Sequence, residues 1–138
     1  MAAFAALRSF FAAVAVLLVA VGGCAPVVTF PPESAAPAVV LDTYLMALAA
    51  GDCQAGRRLA LTTFAKGKGE LCGETRLISY RVDLVPATFS DREVVFAAHL
   101  TTTGTADRSV PPGEMLWFYD LLRQPNGAWR LAGGGSGP

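Results

Sequence analysis

MLWFYDLLRQPNGAWRLAG, residues 115–133, is the stretch that decides the fold. Its first half is apolar on both alternations of an extended chain: Met115, Trp117, Tyr119 and Leu121 on one side, Leu116, Phe118 and Leu122 on the other. Gln124-Pro125-Asn126-Gly127 is a turn, with proline presetting one φ and glycine free to take a positive one. Trp129 and Leu131 then resume a period of two. The stretch reads as a β-hairpin, and its doubly apolar first strand is either covered on both sides or part of an interface.

Toward the N-terminus, residues 93–103 alternate as well, with Val94, Phe96, Ala98 and Leu100 on one face and Val95, Ala97, His99 and Thr101 on the other. Ile78, Tyr80, Val82 and Leu84 alternate with Ser79, Arg81 and Asp83. Before them the period changes to that of a helix. Val40, Tyr44, Ala47 and Leu48 share one face, with Leu41 and Leu45 adjoining. Pro37 suits the first turn, Gly51 the end, and Asp52 caps a second helix expected to reach about Leu61. Residues 62–76 are glycine-rich and charged, hence a loop. The predicted architecture is α+β: N-terminal helices packed on a curved antiparallel four-stranded sheet.

The chain has 138 residues, 11 basic and 11 acidic, and 53% of it is apolar against 16% charged. One domain is expected at this length. The balance excludes a disordered or coiled-coil chain, and the absence of a basic run argues against nucleic acid.

The helix "LDTYLMALAAGDCQAGRRL" (residues 41–59) and the closing Trp-bearing hairpin together resemble the NTF2-like, or SnoaL-like, family. The resemblance covers about residues 37–133 and implies a cone in which the first helix fills the concave side of the sheet. Many members have a short hairpin before the position of Thr75 that this sequence lacks. Tyr44, Tyr80, Phe96, Trp117 and Tyr119 would line such a cone, as core or as the wall of a ligand pocket.

Residues 1–23, MAAFAALRSFFAAVAVLLVAVGG, place one cation, Arg8, before an uncharged stretch. The 13 residues 9–21 would span only ~20 Å as a helix, short of the ~30 Å of a bilayer core, which is the pattern of an export signal. Val21-Gly22-Gly23-Cys24 resembles the lipobox of bacterial lipoproteins. That resemblance implies a signal peptide over 1–23, removed ahead of Cys24, and a diacylglyceryl thioether and palmitate-type acylation on Cys24. It thus implies a lipid anchor at the extracytoplasmic face of the cell membrane. Residues 24–36, with Pro26, Pro31 and Pro32, are expected to be an extended tether reaching up to ~35–40 Å, and 134–138 a flexible tail.

In an exported chain the remaining pair, Cys53 and Cys72, is expected to form a disulfide. The glycine-rich KGKGELCG (66–73) lacks the phosphate-loop pattern. His99, the single histidine, and Asp120, flanked by apolar residues, are the catalytic candidates. The plainer readings are an ordinary strand histidine, and an Asp120 paired with Arg123 or Arg130. Arg81 and Asp83 read as a solvated pair on one strand face. With one histidine and scattered carboxylates, neither a metal set nor a cofactor is expected. The sequence therefore predicts a membrane-anchored, non-catalytic cell-envelope module binding a small apolar ligand or an envelope protein, with a homodimer through the sheet face as one possibility. The alternatives are an isomerase-like enzyme using Asp120 or His99, and a structural assembly role.

Overall fold

A computed structural model describes residues 27–137. The expected leader over residues 1–23 and the acylation expected at Cys24 lie outside the described residues. The elements are α1 (Pro37–Ala49), α2 (Cys53–Arg58), β1 (Leu77–Val82), β2 (Thr88–Phe89), β3 (Glu93–Thr102), β4 (Gly113–Arg123) and β5 (Trp129–Gly135). The fold is α+β, with one antiparallel sheet in the order β1-β3-β4-β5. The sheet has five strands rather than four: β2 pairs with residues 94–95 of β3, along the same side of β3 that β1 occupies nearer its end. β1 and β2 are thus one border strand interrupted at residues 83–87, where Pro86 has no amide to donate.

Local signals account for the helices. Pro37 opens α1, and Gly51, at φ 70°, closes it: the Gly51 N–H reaches the Leu48 carbonyl (3.1 Å) and the Asp52 N–H that of Ala47 (2.9 Å). The Asp52 carboxylate then accepts from the Ala55 N–H at 2.9 Å and caps α2. α2 stops at Arg58, short of the expected Leu61, because residues 59–61 turn extended and pair with β5. The Leu61 N–H donates to the Leu131 carbonyl (2.8 Å) and the Leu131 N–H to that of Leu59 (2.9 Å). Farther along, the Gly134 N–H donates to the Lys68 carbonyl (2.9 Å). The outer border of β5 is therefore covered, whereas the border formed by β1 and β2 carries no further strand among the described residues.

The core lies between α1 and one face of the sheet: Val40, Leu41, Tyr44, Leu45 and Leu48 meet Val94, Phe96, Ala98, Leu100, Tyr119, Leu121 and Leu131. Two expectations about the termini are corrected. Gly133, Gly134 and Gly135 are strand, opposite Asp120, Tyr119 and Phe118, so the expected tail begins within β5. From Phe30 onward the proline-rich segment is not a free spacer either. Phe30 and Ala35 pack against the core, and the Arg58 guanidinium lies 3.7 Å from the Phe30 ring centre. Burying an aromatic ring outweighs the entropy of leaving so proline-restricted a chain free.

Candidate functional site: the two faces of the sheet

β4 sorts the candidate residues. Its alternation is kept throughout, because the bulge at Asp120/Leu121 puts the extra residue, Ala132, on β5. Tyr119 and Leu121 therefore point to the helix, and Leu116, Phe118, Asp120 and Leu122 to the opposite side.

On the helix side the aromatics fill the space. Tyr44 and Tyr119 are fully buried and meet edge to face with ring centres 5.7 Å apart, and Phe64 meets Tyr44 likewise at 5.8 Å. The Tyr44 hydroxyl donates to Glu70 Oε1 at 2.6 Å, and the Cys72 N–H donates to the same oxygen at 2.8 Å. Burial first, then Tyr119 and Glu70, push the Tyr44 hydroxyl far above the ordinary phenol range; burial does the same at Tyr119. Both stay protonated across the physiological range. Tyr80 is half-buried, its hydroxyl donates to Asp42 Oδ1 at 3.1 Å, and burial with that bond pushes it up to about 12.

Glu70 carries this arrangement and gives no periodic signal in the sequence. Its position follows from the chain on both sides. The disulfide Cys53–Cys72, with Cα atoms 5.6 Å apart, holds one side to the start of α2. Gly69, at φ 101°, lies against Gly134 on the other. Outside the packed layer, a cleft of about 380 Å³ is lined by Glu70, Leu71, Val110, Trp117 and Gly134. Trp117 borders that cleft instead of lying within the core, and its indole Nε1 lies buried against Gly134 without a hydrogen-bond partner among the described residues.

The Tyr119 hydroxyl is also buried without a partner among the described residues. Removing it abolishes an unpaired polar group, so Tyr119→Phe is expected to be neutral or stabilising by up to about 1 kcal/mol. Tyr44→Phe takes a donor from a carboxylate and is expected to cost about 1.5–3 kcal/mol. Urea midpoints of the two variants check the contrast; equal losses would contradict it.

The opposite face holds both catalytic candidates. His99 stands between Arg81 and Leu116, and its Nε2 is 3.2 Å from Asp83 Oδ2. The Arg81 guanidinium also donates to Asp83 (2.5 Å), so hydrogen bonds from His99 and then Arg81 hold that carboxyl below the usual range. This is the solvated strand-face pair read from the sequence, joined by the histidine. Asp120 stands between Val95 and Gly133, and among the described residues it pairs with neither Arg123 nor Arg130. Its diagonal neighbour on the same face is Glu93, two pairs farther along the ladder. Burial, then this second carboxyl, raises its pKa, and one of its oxygens is buried without a partner among the described residues. The sheet thus separates His99 and Asp120 from Tyr44 and Tyr119. No group of three or more His, Cys, Asp or Glu arranged to hold a metal occurs among the described residues.

The raised value means that the ionised form of Asp120 is penalised in the fold. That penalty is absent below the ordinary aspartate range and grows as pH rises toward and through the raised value. Asp120→Asn is therefore expected to stabilise the protein near neutral pH, by less than about 1 kcal/mol because the site is partly solvated. The gain should vanish in acid. Thermal unfolding of both forms across pH tests this, and a gap independent of pH would refute it.

No family model, curated protein or solved structure matches the chain. The site must therefore be read from its own residues. What distinguishes it is the contrast between the faces: the helix side is packed, while Val95, Ala97, Leu116, Phe118 and Leu122 lie on a face that no described element crosses. Leu116 is 43% exposed.

Proposed function

We propose that the protein is a lipid-anchored extracytoplasmic module that binds another protein of the cell envelope through the outer face of its sheet. The observation that carries this reading is that apolar face, left open on a domain whose aromatic residues fill the helix side. Phe118 and Ala97 sit at its middle, while Arg81, Asp83, His99, Glu93 and Asp120 edge it with polar groups. An apolar centre inside a polar rim is the usual build of a protein interface. The exported character rests on the short apolar leader and on Val21-Gly22-Gly23-Cys24, and the disulfide suits an oxidising compartment.

A photo-crosslinking residue at position 118 of the protein in its producing cell tests the docking reading. The expected result is a defined protein adduct in the envelope fraction, lost when Ala97 in the same chain is replaced by Asp. A self-adduct would make the partner a second copy. No adduct, or one indifferent to A97D, would overturn the reading. Intact mass of the mature chain tests the anchor separately; a free, unmodified Cys24 would overturn that part.

A further inference from the structure

We infer that the end of the domain where the N-terminal segment enters is a membrane-contacting surface, seated through unpaired arginines on anionic phospholipid headgroups. The inference rests on the lipid-anchor reading of Cys24 and adds what that reading leaves open: how far the domain stands from the bilayer, and which side faces it.

The distance follows from Phe30. Packed on the core and under Arg58, it fixes the chain to the domain six residues after Cys24. Six residues reach at most about 20 Å. An anchor on Cys24 therefore leaves no room for the domain to stand far off.

The orientation follows from what surrounds the entry. Residues 33–36 border a cavity of about 670 Å³ together with Arg123, Gly127 and Trp129, which places the entry at the β4–β5 turn. The Arg123 N–H donates to the Arg92 carbonyl at 2.9 Å, so the β2–β3 turn lies at the same end. Arg58 stands over Phe30, with Arg57 beside it in the last turn of α2. Arg57, Arg58, Arg92 and Arg123 are all exposed, and none forms an ion pair among the described residues. The exposed carboxylates of this end are Glu33, Asp91 and Glu93; Asp120, half-buried, lies next to Glu93. Glu93 and Asp120 lie on the outer face of the sheet, leaving Glu33 and Asp91 beside the entry against four arginines. The ion pairs among the described residues involve other side chains, Lys66 with Glu74, and Arg81 and His99 with Asp83. Four arginines against two carboxylates thus leave an uncompensated positive rim where the anchor begins. Two apolar side chains accompany it, Val27 at 86% and Phe89 at 69% exposure. Cations with protruding apolar groups beside an acyl anchor are the combination that holds a protein in the interfacial layer, where each arginine near an anionic surface strengthens attachment about fivefold.

The test uses the full lipidated protein in vesicles, with an environment-sensitive fluorophore on a cysteine placed at Asn126 or, as the distant control, at Arg108 in the β3–β4 loop. In vesicles containing phosphatidylglycerol, the label at 126 should be shielded several-fold from an uncharged aqueous quencher and the label at 108 should not. The shielding should disappear in pure phosphatidylcholine, in high salt, and in the variant Arg57→Glu/Arg58→Glu/Arg123→Glu. Should that variant fold poorly, salt and lipid composition still decide the matter on the unaltered chain. A label at 126 equally accessible in both lipids, on protein whose mass confirms acylation, would overturn the inference; a mass without acyl chains would instead overturn the anchor reading.

Discussion

Gly69→Ala is expected to destabilise the protein by about 2–5 kcal/mol, far more than an alanine at other glycines of the same loop. Two costs add. Gly69 has a φ of 101°, which a side chain tolerates poorly, and a Cβ there would overlap the Gly134 Cα and carbonyl oxygen. Neither backbone can easily give way, because the Gly134 N–H is bonded to Lys68 and Gly134 itself sits under Trp117, where a Cβ would come within 2.8 Å of the indole nitrogen. Gly67 is the internal control: its φ is 83°, yet a Cβ would meet nothing within 4 Å. Gly67→Ala should therefore show the conformational cost alone, about 1–2 kcal/mol. Urea denaturation of both variants measures the difference. If Gly69→Ala is no worse than Gly67→Ala, the close approach of the loop to β5 is not a stabilising contact.

Opening the disulfide is expected to have a comparable effect. Cys53 and Cys72 are 19 positions apart, and closing a loop of that length restricts the unfolded chain by about 3 kcal/mol in the chain-entropy account. There is a native-state contribution as well, since the Cys72 N–H is one of the two donors to the Glu70 carboxylate. A double replacement by serine should lower the urea midpoint, as should reductant added to the unaltered chain, and reductant should leave the double variant unchanged. Gly69→Ala combined with the serine pair should cost less than the sum, because both changes release the same segment around Glu70. Full additivity would show that the two clamps act on separate parts of the molecule.

What the sequence disclosed follows the range of the interactions involved. The Gly51 stop and the Asp52 cap depend on neighbours a few residues away, and both were legible. The faces of β3 and β4 were legible because alternation is a local rule: Tyr119 inward and Asp120 outward follow from one another. On β1 the register shift between Leu77 and Ser79 buries Leu77 and turns Ile78 out, against the expected alternation. The role of Glu70 was not, since its partner Tyr44 is 26 positions distant and only the disulfide and Gly69 bring the two together. Glycines 133–135 have no side chains to show a period, and their strand is explained by the loop packed on them. The proline-rich composition of the expected tether concealed the docking of Phe30 and Ala35. Phe30, an aromatic among prolines and small residues, was the signal that the stretch has something to bury.

The pairing of residues 59–61 and Lys68 with β5 has a consequence for how copies could accumulate. Growth of a fibre by strand addition needs two free rims on each molecule, one to receive and one to offer. Among the described residues this sheet presents one, along β1 and β2, so addition through it ends at a closed pair.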